Sequence, residues 1–219
     1  VKMKATDPKG KVHELEADAL FVAIGRQGNI ENIGLEELGI KTERDIIPVD
    51  DMMQTNVSGV YAIGDVNGQQ MLAHTAQHHG IIAVEHIAGL NPVPLDILNS
   101  PSCTYCEPEI GSVGLTEDQA KEAGYEVKVG TFPMRPNAKA TIEGFPEGLT
   151  KIVVDADTDD VLGVHIVGPH ATELISEASL GRFLNMSVQE LGWTVHAHPT
   201  VAEVIGEAAL DAQGEAIHI

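Results

Sequence analysis

The chain is 219 residues long and 43% apolar, with 33 acidic against 13 basic side chains and a formal charge of −20. That length exceeds the ~100–200 residues of a usual single domain, and the apolar fraction is enough for a buried core in one or two parts. The charge argues against nucleic acid, whose phosphates are met by clustered Lys and Arg, and no apolar run reaches the ~20 residues of a membrane span, so a cytoplasmic protein with a solvated acidic surface is expected.

Val1–Thr6 and Val12–Ala17 flank Asp7-Pro8-Lys9-Gly10, turn chemistry that predicts a hairpin. The first residues read as the middle of a sheet, so the protein's true N-terminus is expected elsewhere. Ala19–Ile24 is an unbroken apolar run ending at Gly25, which predicts a strand buried on both faces of an α/β sheet with its end toward a ligand. Gly59–Gly64 predicts a second such strand ending in Asp65. A helix then follows from about Leu72 to His86, with Gly89 and Asn91-Pro92 as its stop.

After Pro94 the pattern changes to short strands alternating with helices, and a domain boundary is placed near residue 96. Thr116-Glu117-Asp118-Gln119 is a capping box that opens a short helix closed by Gly124. Val127–Phe132 reads as a strand, and Lys151–Asp155 with Val161–Val167 reads as a hairpin around Asp157–Asp160. Helices are predicted over Thr172–Met186, Val188–Leu191 and Val201–Leu210.

Cys103 and Cys106 have C-x-x-C spacing, but Pro101 and Pro108 bracket them. No helix start is at hand to activate a thiol, so a loop or short strand is expected there. In His196-Ala197-His198-Pro199-Thr200-Val201-Ala202-Glu203, a histidine precedes a helix start. Glu203 has capping-box spacing from Thr200 and also lies within reach of His198. It can cap the helix, or it can fix the tautomer of His198 so that the other ring nitrogen exchanges protons; two oxygens allow both. Gly64 permits close backbone approach. Asp65, at a strand end, either caps a turn or accepts hydrogen bonds from ligand hydroxyls, and the helix N-terminus at Leu72 suits negative charge. His74 and His78 are four apart on one helix without a third ligand in view, and no metal is expected.

Taken in order, Ala23-Ile24-Gly25-Arg26, Thr55–Asp65, Met71-Leu72-Ala73-His74, Tyr105–Gly114 and His196–Thr200 resemble the pyridine nucleotide-disulfide oxidoreductase family along essentially the whole chain. Within it, Met71–His74 and His196–Thr200 look most like the dihydrolipoamide dehydrogenase branch. The resemblance implies an α/β remnant of the NAD- and FAD-binding domains over residues 1–95. An α+β interface (dimerisation) domain with an antiparallel sheet would follow over 96–219. It implies that Asp65, after Gly64, binds a hydroxyl of the FAD sugar chain, that Met71, Leu72, Ala73 and His74 line the flavin through their backbone, and that Gly25 sits at the NAD site. His198 would be the acid/base serving the thiols, oriented by Glu203 and reaching across a two-fold axis in a homodimer. The implied reaction oxidises dihydrolipoamide carried by a lipoyl-bearing acyltransferase complex, with FAD and NAD as cofactors.

The family's N-terminal FAD domain with its C-x-x-x-x-C disulfide is not in these residues, so an N-terminal half of the same protein is the expected partner, and the chain alone is expected to be inactive. Faces that would pack on that half should be exposed. A glutathione reductase or transhydrogenase type, or a non-catalytic dimerisation module, are the competing readings.

Overall fold

The computed structural model describes residues 1–218. Strands β1 (Lys2–Thr6) and β2 (Val12–Glu16) pair antiparallel from Lys2↔Glu16 to Thr6↔Val12, as the turn residues predict. Asp7 organises the turn, its Oδ1 accepting the N–H groups of Lys9 and Lys11 at 2.9 and 3.0 Å.

The two buried strands expected next are absent. Residues 19–24 are irregular, and Phe21 and Ile24 are 91% and 95% exposed. Residues 59–64 make only an isolated bridge between Gln54 and Tyr61, and Gly64–Asn67 form a 3-10 turn. A strand needs a neighbour to pair its N–H and C=O groups; among the described residues 19–24 has none, and 59–64 has only the short bridge to residues 53–55. The first half is held instead by two small clusters, one around Ile40, Ile47 and Ala62, the other around Met53, Ile82 and Ala83. Helix α1 (Ala73–Ile87) forms where it is predicted and supplies Ile82 and Ala83 to the second cluster.

The second half is built on one antiparallel sheet. Its strands β3 (Ser102–Thr104), β4 (Ile110–Gly114), β5 (Val127–Pro133), β6 (Leu149–Asp155) and β7 (Val161–Val167) lie in the order β3-β4-β7-β6-β5. Helix α2 (Glu117–Glu122) starts at the Thr116–Gln119 capping box, with both reciprocal bonds present. Helices α3 (Ala138–Glu143), α4 (Ala171–Phe183), α5 (Val188–Trp193) and α6 (Glu203–Asp211) complete the chain. The fold class is therefore the expected one, an α/β remnant followed by an α+β domain.

The sheet face covered by α4 and α6 holds the main core: Phe132, Met134, Ile152, Val164, Ile166, Ile175, Leu191 and Ile205 are all essentially inaccessible. Each such side chain contributes roughly 1.5–3 kcal/mol of apolar burial before entropy is counted. Helix α6 lies directly on β5: a Cβ built on Gly130 would stand 2.0 Å from the Ala208 carbonyl oxygen, so only glycine permits this approach. The C-terminal end of α6 is tied to the same strand, Asp211 Oδ2 accepting the Thr131 N–H at 2.7 Å. Among the described residues no helix is long and apolar enough to cross a membrane.

Candidate functional site

The rigid α6–β5 pair presents the segment that precedes α6. Val201 and Ala202 form a turn rather than the start of the predicted helix, which begins at Glu203. Glu203 uses both oxygens: Oε1 meets His198 Nδ1 at 2.8 Å, and Oε2 accepts the Thr200 N–H at 2.9 Å. An ionised carboxylate only accepts, so Nδ1 of His198 donates, and its Nε2 is left with a free lone pair. The His198 side chain is 71% exposed, so that nitrogen is open to a reactant. The two roles open to Glu203 in the sequence thus coexist, with one difference. Thr200 Oγ1 does not receive the helix N–H of a complete capping box but donates to the Ala197 carbonyl at 2.7 Å.

Partial burial pushes the Glu203 carboxyl up, but it is outweighed. The Thr200 N–H, the His198 hydrogen bond and the charges of His198 and His218 hold the group below the ordinary carboxylate range. One turn further on, Glu207 Oε1 binds His218 Nδ1 at 2.6 Å, and its Oε2 accepts the N–H groups of Ile217 and His218. The segment after α6 is thereby folded back onto the helix that carries Glu203.

The second group of predicted residues also converges. Arg26 Nη1 lies 2.9 Å from Asp65 Oδ2, and its Nη2 donates to the Met71 carbonyl. One guanidinium thus links the residue after Gly25, the acid after Gly64 and the segment leading into α1. Arg26 was not singled out in the sequence; its place directly after Gly25 was the available signal. The N-cap Leu72 has no side-chain acceptor, so the first N–H groups of α1 are left for a ligand or water.

His74 donates Nε2–H to the Pro101 carbonyl at 2.8 Å, which commits its ring to structure and leaves its backbone for binding. Among the described residues no three His, Cys, Asp or Glu side chains are arranged to hold a metal. His79 on α1 is fully buried, and its Nδ1 accepts from Asn67 at 3.2 Å. Cys103 lies on β3 and Cys106 just after it, and contrary to expectation a helix start is at hand, since Cys103 Sγ meets the Thr172 carbonyl in the first turn of α4 at 3.8 Å. Burial pushes the Cys103 thiol up, aided by the Glu109 charge. No hydrogen bond joins the His198 segment to the Arg26–Asp65 group among the described residues.

Comparison with known proteins matches residues 100–209 to the pyridine nucleotide-disulphide oxidoreductase dimerisation domain and residues 2–80 to the pyridine nucleotide-disulphide oxidoreductase domain. The chain belongs to this family. Its family relatives include the dihydrolipoyl dehydrogenases of Bacillus subtilis, 54% identical over 95% of this chain and 44% of its own length, and of Rhizobium etli, 48% identical over 95% and 44%. The chain thus spans less than half the length of the curated family members it matches. Among solved structures, LpdA from Mycobacterium tuberculosis superposes with a TM-score of 0.83 at 29% identity, over 94% of this chain and 45% of that one. The Cu(II) complex of the HOCl-induced flavoprotein disulfide reductase RclA from Escherichia coli gives 0.83 at 25% identity, over 94% and 48%.

Proposed function

We propose that this chain is the C-terminal part of a dihydrolipoyl dehydrogenase and supplies its acid/base pair, His198 and Glu203. The observation that carries the reading is the bonded dyad: Nδ1 donates to a carboxylate whose second oxygen is fixed by Thr200, and Nε2 is exposed. A thiol must lose its proton to attack a disulfide, and Nε2 of His198 is placed to take it, with Glu203 stabilising the imidazolium that results.

Asp65 and the backbone from Met71 to His74 fit FAD. An acceptor for ligand hydroxyls and uncapped helix N–H groups for negative charge are drawn together by Arg26. Gly64, with φ of 75°, brings the backbone close to that patch, and Gly25 contributes to the NAD side. When bound, FAD supplies two-electron transfer between a dithiol and NAD. The disulfide and the remainder of both cofactor sites come from an N-terminal half of the same protein, so the chain alone is inactive. The unit is a homodimer serving a lipoyl-bearing acyltransferase complex, with its boundary between the cofactor-domain remnant and the interface domain near residue 96. Two unpaired cysteines suit a reducing compartment and support a cytoplasmic location.

The test is NAD reduction by dihydrolipoamide in the full-length protein and in its His198→Gln variant. The variant is expected to lose about 10²–10⁴-fold in kcat with its flavin absorbance intact. Activity with oxidised glutathione but none with dihydrolipoamide would favour a glutathione reductase type instead. An unchanged kcat in His198→Gln would remove the dyad from the chemistry.

A further inference from the structure

From Trp193 to Pro199 the chain runs along the surface, and of these side chains only that of His196 turns inward. It is 9% exposed, and its Nε2 lies 2.7 Å from Glu177 Oε1 on α4. The other edge of the ring rests on α6: a Cβ built on Gly206 would stand 3.1 Å from His196 Nδ1, tighter than an ordinary contact. His196 therefore ties the exposed segment to two helices at once, two residues before His198. Beyond His198 the next anchor is Thr200, whose carbonyl accepts from Asn137 Nδ2 at 3.0 Å and whose N–H is held by Glu203.

We infer that the His196–Glu177 pair is the upstream strut that sets the position of His198, so that His196 and Glu177 are positioning residues for the acid/base step. The inference rests on the reading of His198 as the acid/base. Without the strut, the nearest upstream anchor of the peptide carrying His198 moves back to Thr194, bonded to the Glu190 carbonyl, and the exposed stretch between Thr194 and Thr200 gains freedom to displace the imidazole. Misplacement of a reacting group by about 1 Å costs on the order of 10²-fold in rate, so a partial loss of alignment of about tenfold is the expected scale.

The pair also makes a pH signature. The groups facing His196 are Glu177 from α4, Glu203 from α6 and the Thr194 carbonyl. The Glu177 hydrogen bond is the largest influence and, with the other two, raises the histidine above its ordinary value against the opposing effect of burial. A group raised in this way is charged, and its ion pair complete, at lower pH; the charge-assisted bond is lost as pH rises through the raised value. The strut should therefore loosen on the alkaline side, above the ~6.5 of an ordinary histidine.

The experiment uses the full-length flavoenzyme and its Glu177→Gln, Glu177→Asp, His196→Gln and His198→Gln variants, measuring kcat and KM for dihydrolipoamide across pH. Glu177→Gln and His196→Gln are expected to keep the dimer, the flavin absorbance and KM within about twofold while kcat falls about tenfold. His196→Gln should also lose the alkaline break, and Glu177→Asp should recover part of the rate. Should Glu177→Gln or His196→Gln fail to assemble, a shift of the alkaline break in Glu177→Asp relative to wild type supports the strut, and an unshifted break overturns it. A collapse of kcat in His198→Gln, with wild-type rates and profiles in assembled Glu177→Gln and His196→Gln, overturns the strut and leaves the acid/base reading standing. An unchanged kcat in His198→Gln overturns both.

Discussion

Glu203 performs two tasks because a carboxylate has two oxygens: one holds His198 Nδ1 and the other holds the Thr200 N–H. Its carboxyl is held below the ordinary range, so its stabilising contribution is full above the unfolded value of about 4.3 and is lost as pH falls through the lower folded value. The Glu203→Gln variant is therefore expected to be less stable than wild type at pH 7 by about 1 kcal/mol, with the difference shrinking toward acid pH. Denaturant titrations at both pH values check this, and a difference that grows on acidification would contradict it. The three-residue spacing of Thr200 and Glu203 and the five-residue spacing of His198 and Glu203 were readable in the sequence because both contacts are local. The Glu177–His196 contact spans 19 residues and the Arg26–Met71 contact 45; both depend on how the elements pack, which no local pattern encodes.

At the scale of elements, the contact of α6 with β5 governs the site, since α6 carries Glu203 and the strand gives it a fixed bed. Gly130→Ala would drive a methyl group into the Ala208 carbonyl. Overpacking of this kind costs about 1–3 kcal/mol and here should also displace Glu203. Thermal denaturation and kcat are expected to fall together in that variant, and an unchanged melting temperature would refute the close approach. The elements most legible in the sequence were those whose ends carry their own chemistry. Thr116 and Gln119 mark α2, and Ser187 with Glu190 builds a second complete capping box at α5. The expected strands over 19–24 and 59–64 failed for a different reason. An apolar run reports that a segment will be covered, whereas a strand also needs hydrogen-bonding neighbours, which an apolar run does not specify. Phe21 and Ile24 are accordingly exposed among the described residues.

For the whole molecule, the apolar side chains beside the dyad carry the next expectation. Trp193 and Val195 are 68% and 94% exposed in the single chain, and Phe183 at the end of α4 is 73% exposed. Residues 100–209 match a dimerisation domain. Val195→Asp leaves the folded chain's core untouched, but it would place an unpaired charge in a self-association face, a penalty of several kcal/mol. Sedimentation of the full-length protein should show dimer affinity weakened at least tenfold, and an unaltered dimer would exclude Val195 from the interface. The bond from Thr131 to Asp211 closes a loop of 80 residues, so the bed on β5 exists well before the helix that fills it is made. Translation therefore completes all five strands of the β3-β4-β7-β6-β5 sheet first and brings Glu203 to His198 only afterwards. On a ribosome still short of α6, this fold has its scaffold and His198 but not the carboxylate that holds the ring, and the bonded dyad is completed only once α6 has been made.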